Sequence, residues 1–160
     1  MLWYTVSVVT CMRILFEDES VIVCIKERGL LSQTDSGGGE SMVSLLSTHC
    51  NNQVYPLHRL DREVGGVMVY AKTKKAAANL SRDIAEHKFI KEYIALIHGK
   101  PESDSGEMRD LLFKDSRKHK SFVGKRQRKG VKEALLEYSL LDTDGDFSTV
   151  LIRLHTGRTH

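Results

Sequence analysis

The chain has 160 residues, 41% of them apolar and 28% charged, with a formal charge of +3, enough for one globular domain that buries about two thirds of the surface its unfolded form exposes. No run approaches the ~20 consecutive apolar residues of a membrane helix, which excludes a helical membrane protein and predicts a soluble one. Cys11, Cys24 and Cys50 are odd in number and far apart, with no Cys-x-x-Cys pair, so neither a disulfide framework nor a zinc site is expected and a reducing cytoplasm fits best.

In chain order, residues 1–11 are apolar, with Trp3 and Tyr4, but lack the basic start and small-residue cleavage site of a signal peptide. They read as an extra strand or as an extension ahead of a natural start at Met12, so 1–12 is set apart from a domain over 13–160. Arg13 to Glu19 predicts a strand and turn. Val21 to Ile25 is an apolar β-branched run ending at Lys26-Glu27-Arg28-Gly29, the pattern of a buried strand entering a glycine turn. Gln33 to Glu40, with Gly37-Gly38-Gly39, predicts a mobile loop, after which Ser41 caps a short helix through Cys50. Beyond the loop at Tyr55-Pro56 and the double glycine Gly65-Gly66, Val67 to Ala71 predicts a strand. Thr73 then caps a stronger helix in which Ala77, Leu80, Ile84 and Ala85 recur at helical spacing, a face suited to packing on a sheet.

Tyr93 to Ile97 predicts another strand, closed by His98-Gly99-Lys100-Pro101, and Glu102 to Gly106 a polar turn. Alternating apolar residues from Ala134 to Leu140, the turn Asp142 to Asp146 and the run Phe147 to Leu154 predict a hairpin. The whole pattern is that of an α+β domain: a mixed, mainly antiparallel β-sheet with helices packed on its faces. There is no internal repeat and no inter-domain linker.

Two stretches carry chemistry. His58-Arg59-Leu60-Asp61-Arg62 places a carboxylate between two guanidinium groups, whose charge favours the ionised form that a nucleophile requires; a surface ion pair is the bland alternative. Between Lys114 and Lys132 stand nine Lys or Arg residues against one acid, Asp115. Such a segment suits an RNA backbone, or is a solvated charged loop; Phe122-Val123, Gly124 and Gly130 favour a basic hairpin. The seven histidines show no paired metal-ligand spacing, and no metal is assigned. The glycine triplet lacks the Lys-Ser or Lys-Thr of a phosphate loop, and Ser41 lacks a nucleophile elbow.

In order and spacing, His58 to Asp61 with Gly65-Gly66, then Lys91-Glu92-Tyr93, then Leu154-His155-Thr156-Gly157-Arg158-Thr159-His160 resemble the signatures of RluA-type pseudouridine synthases. The resemblance covers nearly everything after Met12. It implies that Asp61 is the aspartate that attacks a uridine in ribosomal or transfer RNA, so that the base detaches, rotates and rejoins its ribose through carbon five. It implies no cofactor, since the reaction is an isomerisation. Tyr93 would lie against the uracil and handle the carbon-five proton. Arg59 would fill the gap left by an extruded base or else bridge to Asp61. Arg59, Arg62, Lys118, Lys120, Lys125, Arg126, Arg128, Lys129 and Arg158 form the expected RNA-binding set.

This sequence departs from the family's pattern in two places. The last box stops at His160, where the family continues into a Gln, an aliphatic residue and an Arg that pairs with the aspartate, so the domain reads as a C-terminally truncated one. Lys26-Glu27-Arg28-Gly29 replaces the family's Lys-Pro-small-Gly turn. A catalytically inactive RNA-binding remnant, or a basic interaction domain without RNA function, therefore stands beside the enzyme as an alternative.

Overall fold

A computed structural model describes residues 12–35, 37–115, 120–124 and 126–157, which form two compact units divided between Glu86 and His87. The expected strand at 1–11 lies outside the described residues. Each unit holds its own antiparallel sheet, so the expected single sheet is realised as two.

The first unit contains strands β1 (Ile14–Glu17) and β2 (Val21–Lys26), helix α1 (Met42–His49), strands β3 (Tyr55–Pro56) and β4 (Gly66–Ala71), and helix α2 (Lys74–Ala85). Its strand order is β1-β2-β4-β3, every neighbour antiparallel. The β2–β4 register pairs Ile22 with Tyr70, Cys24 with Met68 and Lys26 with Gly66. Directly opposed residues share a face, so Ile22, Cys24, Met68 and Tyr70 project together, and all four are fully buried. Met42 and Leu46 of α1, with Val54 and Leu60, complete this core, each large apolar side chain contributing about 1.5–3 kcal/mol of burial. Burial also pushes the Cys24 thiol up to about 11 and the Tyr70 phenol higher still, which keeps both neutral.

Both helices start where their caps predict. Ser41 Oγ accepts from the Ser44 amide at 3.2 Å while Ser44 Oγ accepts from the Ser41 amide at 2.9 Å, a reciprocal capping box. Thr73 Oγ1 accepts from the Ala76 amide at 3.1 Å, and α2 lies against β3 and β4. No helix among the described residues is long and apolar enough to cross a membrane.

The second unit contains β5 (Glu92–His98), β6 (Ser105–Asp115), β7 (Lys120–Val123), β8 (Val131–Asp144) and β9 (Phe147–Leu154), in the order β5-β9-β8-β6-β7. The predicted β8–β9 hairpin forms, and the basic segment does contain a hairpin strand, β7, paired to β6 through Phe113 and Phe122. In the first unit the expected loop at Tyr55-Pro56 is instead the short strand β3, formed by its pairing with Ala71 and Tyr70 of β4; in the second, strand β6 is the element that periodicity did not announce. The predicted polar turn at 102–106 overlaps its first two residues, and the next stretch, Glu107-Met108-Arg109-Asp110, mixes charge and apolar groups without alternation. It is a strand because β8 pairs with it along nine consecutive positions, and Arg109 meets Glu133 at 2.7 Å and Glu107 at 3.3 Å on its exposed surface.

In the first unit, Glu17 at the end of β1 takes Lys72 Nζ at 2.6 Å on one carboxylate oxygen and lies 2.9 Å from His49 Nε2 on the other. The Lys72 hydrogen bond first, and the His49 contact second, hold its carboxyl below the ordinary value of 4.5. A carboxyl with a lowered folded pKa contributes stability that is complete above its ordinary value and is lost as pH falls through the folded one. Thermal melts should therefore place Glu17→Gln below the unaltered chain at neutral pH, with the gap closing as pH drops below 4.5.

Candidate active site

Residues 57–65 connect β3 to β4 and carry His58 to Arg62. Their placement follows from strand register. Strand β4 begins at Gly66, opposite Lys26 at the end of β2, so the loop entering β4 and the turn leaving β2 emerge side by side. The two segments then bond reciprocally: the Gly29 amide donates to the Arg62 carbonyl at 2.8 Å, and Arg62 Nε donates to the Gly29 carbonyl at 2.9 Å. Arg28 Nε donates to the Glu63 carbonyl at 3.1 Å. Gly29 adopts φ +85°, a conformation that L side chains rarely take, and a Cβ on Gly65 would sit 3.3 Å from the Lys26 carbonyl oxygen. Glycine at 29 allows the turn, and glycine at 65 lets the two segments approach this closely.

Lys26 completes the junction. It shares the buried face of Ile22 and Cys24 and has no accessible surface. Its ammonium donates to the carbonyls of Leu30 at 2.7 Å, Glu27 at 3.1 Å and Arg62 at 3.3 Å. Desolvation lowers its pKa, opposed by the charges of Glu63, Asp61 and Glu27 in that order. Asp61 itself is exposed, and its carbonyl accepts from the Val64 amide at 3.0 Å, closing a tight turn behind it. Among the described residues neither Arg59 nor Arg62 pairs with the Asp61 carboxylate, so the bridge weighed as the alternative role of Arg59 does not form, and Arg62 Nε is committed to Gly29. Lys26 reaches the same junction from the core. His58 turns inward, its Nε2 accepting from the Val69 amide at 3.3 Å.

The other two boxes are brought together in the second unit. Tyr93 on β5 pairs with Ile152 on β9, and Glu92 with Arg153, whose guanidinium bonds Glu92 Oε1 at 2.7 and 3.1 Å. The Leu154 amide donates to the Lys91 carbonyl at 2.9 Å. Thr156 Oγ1 accepts from the Leu135 amide at 2.9 Å, and the His155 and Thr156 amides return to the Leu135 carbonyl. Tyr93 is half-buried. On the basic arm, Lys120, Arg126, Arg128 and Lys129 are exposed, and the Arg128 guanidinium carbon stands 5.2 Å from the centre of the Phe113 ring, within cation–π range. Lys118, Lys125, Arg158 and the closing His160 lie outside the described residues.

A family model described as RNA pseudouridylate synthase matches residues 20–160. The chain belongs to this family. Its sequence is 31% identical over 158 residues to the ribosomal large subunit pseudouridine synthase D of Borreliella burgdorferi, covering 92% of this chain and 48% of that protein. It is 29% identical to the mitochondrial tRNA pseudouridine(32) synthase of Saccharomyces cerevisiae, covering 92% of this chain and 32% of that one. A human RNA pseudouridylate synthase domain containing 1 structure superposes with a TM-score of 0.78 at 23% identity, over 93% of this chain and 61% of that one, which shows the shared fold. The chain spans about half the length of the bacterial relatives it matches.

Among the described residues of this family member, the residue that sequence reasoning missed is Lys26. The signal was present: alternation along β2 puts Lys26 on the same face as Ile22 and Cys24, where a charged group needs several partners to be buried. Replacing Lys26 by Met keeps the stem and removes three donors. We expect Lys26→Met to cost about 1–3 kcal/mol through the Leu30 and Glu27 carbonyls, which lose this donor while the Arg62 carbonyl keeps the Gly29 amide, read as a lower urea midpoint, and to expose residues 60–63 to faster proteolysis.

Proposed function

We propose that this chain is an RNA uridine isomerase in which Asp61 is the nucleophile, and that residues 13–160 form part of its catalytic domain. The observation that carries the reading is the Asp61 carboxylate presented to solvent on a loop whose backbone is tied down on both sides, within a chain of the pseudouridylate synthase family. A nucleophile needs accessibility together with fixed geometry, and the Lys26 junction supplies the second without covering the first. Tyr93 is assigned to the uracil ring. Arg59, exposed and unattached to the carboxylate, is assigned to the space an extruded base vacates, where a planar guanidinium stacks well.

The substrate class is ribosomal or transfer RNA, supported by relatives named for each, and the compartment proposed is the cytoplasm. Lys120, Arg126, Arg128 and Lys129, with Lys118, Lys125, Arg62 and Arg158, are assigned to phosphates, contacts that orient the RNA and carry no base choice. The isomerisation requires no electron transfer, so no redox cofactor is assigned.

Incubating the chain with bulk ribosomal and transfer RNA and mapping pseudouridine tests the proposal. We expect product that disappears with Asp61→Asn; absence of any Asp61-dependent product, from this chain and from one extended past His160, sinks the enzymatic reading. RNA affinity should fall with salt, and each phosphate-contacting residue changed to Ala on the arm should flatten the log–log slope by about 0.7. Salt-dependent binding without an Asp61-dependent product favours the RNA-binding remnant instead, a reading that the exposed basic arm supports by itself.

A further inference from the structure

We infer that Ser32 is a positioning residue for Asp61, acting through the backbone of Leu60; this rests on the proposed role of Asp61. Ser32 is 4% exposed and follows the turn after β2. Its hydroxyl donates to the Leu60 carbonyl at 2.7 Å and accepts from the Leu60 amide at 3.0 Å. One side chain thus satisfies both backbone groups of the residue immediately before Asp61, as a neighbouring strand would, in a loop where no strand is available. The Leu60 side chain is anchored as well, 7% exposed and packed where a Cβ on Gly66 would meet its Cδ1 at 3.3 Å. Since consecutive Cα atoms are about 3.8 Å apart, fixing Leu60 leaves Asp61 little freedom beyond its own torsions.

The anchor is itself anchored. Tyr70, fully buried on β4, donates its hydroxyl to the Ser32 carbonyl at 3.0 Å, and the neighbouring Leu31 carbonyl accepts from the Met42 amide at 2.8 Å. A chain of contacts therefore runs from the sheet core through Tyr70 and Ser32 to Leu60 and the carboxylate. Alanine at position 32 would fill nearly the same space but leave the Leu60 amide and carbonyl buried without a partner. The loop would relax to satisfy them, and displacement of a reacting group by about 1 Å can cost on the order of 100-fold in rate.

The test compares the unaltered chain with Ser32→Ala, Ser32→Thr and Ser32→Cys in single-turnover pseudouridine formation, RNA affinity and amide hydrogen exchange at Leu60. Ser32→Ala should slow turnover on the order of 100-fold with RNA affinity unchanged, and Leu60 exchange should quicken about tenfold. Threonine, which keeps the hydroxyl, should restore both. If alanine prevents folding, the cysteine variant, a weak hydrogen-bonding partner of similar size, carries the comparison. Unchanged turnover in Ser32→Ala overturns the inference, as does an equal loss of RNA affinity, or a threonine variant that recovers Leu60 protection without recovering rate. If neither the unaltered chain nor one extended past His160 forms pseudouridine, it is the proposed function that falls. Leu60 exchange, which needs no turnover, then decides whether Ser32 holds this loop: protection unchanged by alanine removes the role.

Discussion

The pairing of Lys26 with Gly66 at the end of the β2–β4 ladder is the constraint from which the geometry around Asp61 descends. A strand register is specified wherever one face is buried, because a slip by one residue would turn every core side chain outward. Here Ile22, Cys24, Met68 and Tyr70, all without accessible surface, hold that register. The same register forces the turn after β2 and the loop before β4 to leave the sheet together. Asp61 is therefore placed by core packing several residues away from it, and local hydrogen bonds only finish what the register begins.

What finishes it is unusual in chemical terms. A fully buried ammonium is costly, and the lowered pKa of Lys26 records that cost. Three carbonyl acceptors and the charges of Glu63, Asp61 and Glu27 offset it. Buried polar groups of this kind contribute little net stability, yet they define geometry, because only one arrangement satisfies every partner. The turn manages this without a proline. Gly29 at positive φ and the reciprocal bonds between Gly29 and Arg62 supply the stiffness that a Lys-Pro turn would have supplied through its ring.

The second unit works by a different device. Its two family boxes are neighbours because β5 and β9 are paired along seven positions, and the residues after β9 fold back on Leu135 of β8 through Thr156. Backbone pairing, more than side-chain burial, organises this sheet: only Val131, Val150 and Ser148 of its residues are buried, while Ile94, Leu96 and Phe147 stand exposed. The basic arm extends the same ladder outward, and Arg128 over Phe113 keeps a guanidinium close to the strands.

Much of this was legible in the linear chain. The apolar run at Val21 to Ile25, the caps at Ser41 and Thr73 and the β8–β9 hairpin follow from local periodicity and cap chemistry, which act over a few residues and so survive without tertiary context. The family, too, was readable, because ordered boxes at 58–61, 91–93 and 154–160 are patterns of residues. What only the tertiary structure decided is how distant segments meet. Strand β6 exists because β8 and β7 pair with it, although its own alternation is poor. Lys26 and Ser32 serve the Asp61 loop because register carries them across from residues 26–32 to residues 60–63. The arginines beside Asp61 in sequence do not pair with its carboxylate. Proximity in the fold is set by which backbones hydrogen-bond to each other, and adjacency in sequence does not by itself bring two side chains together.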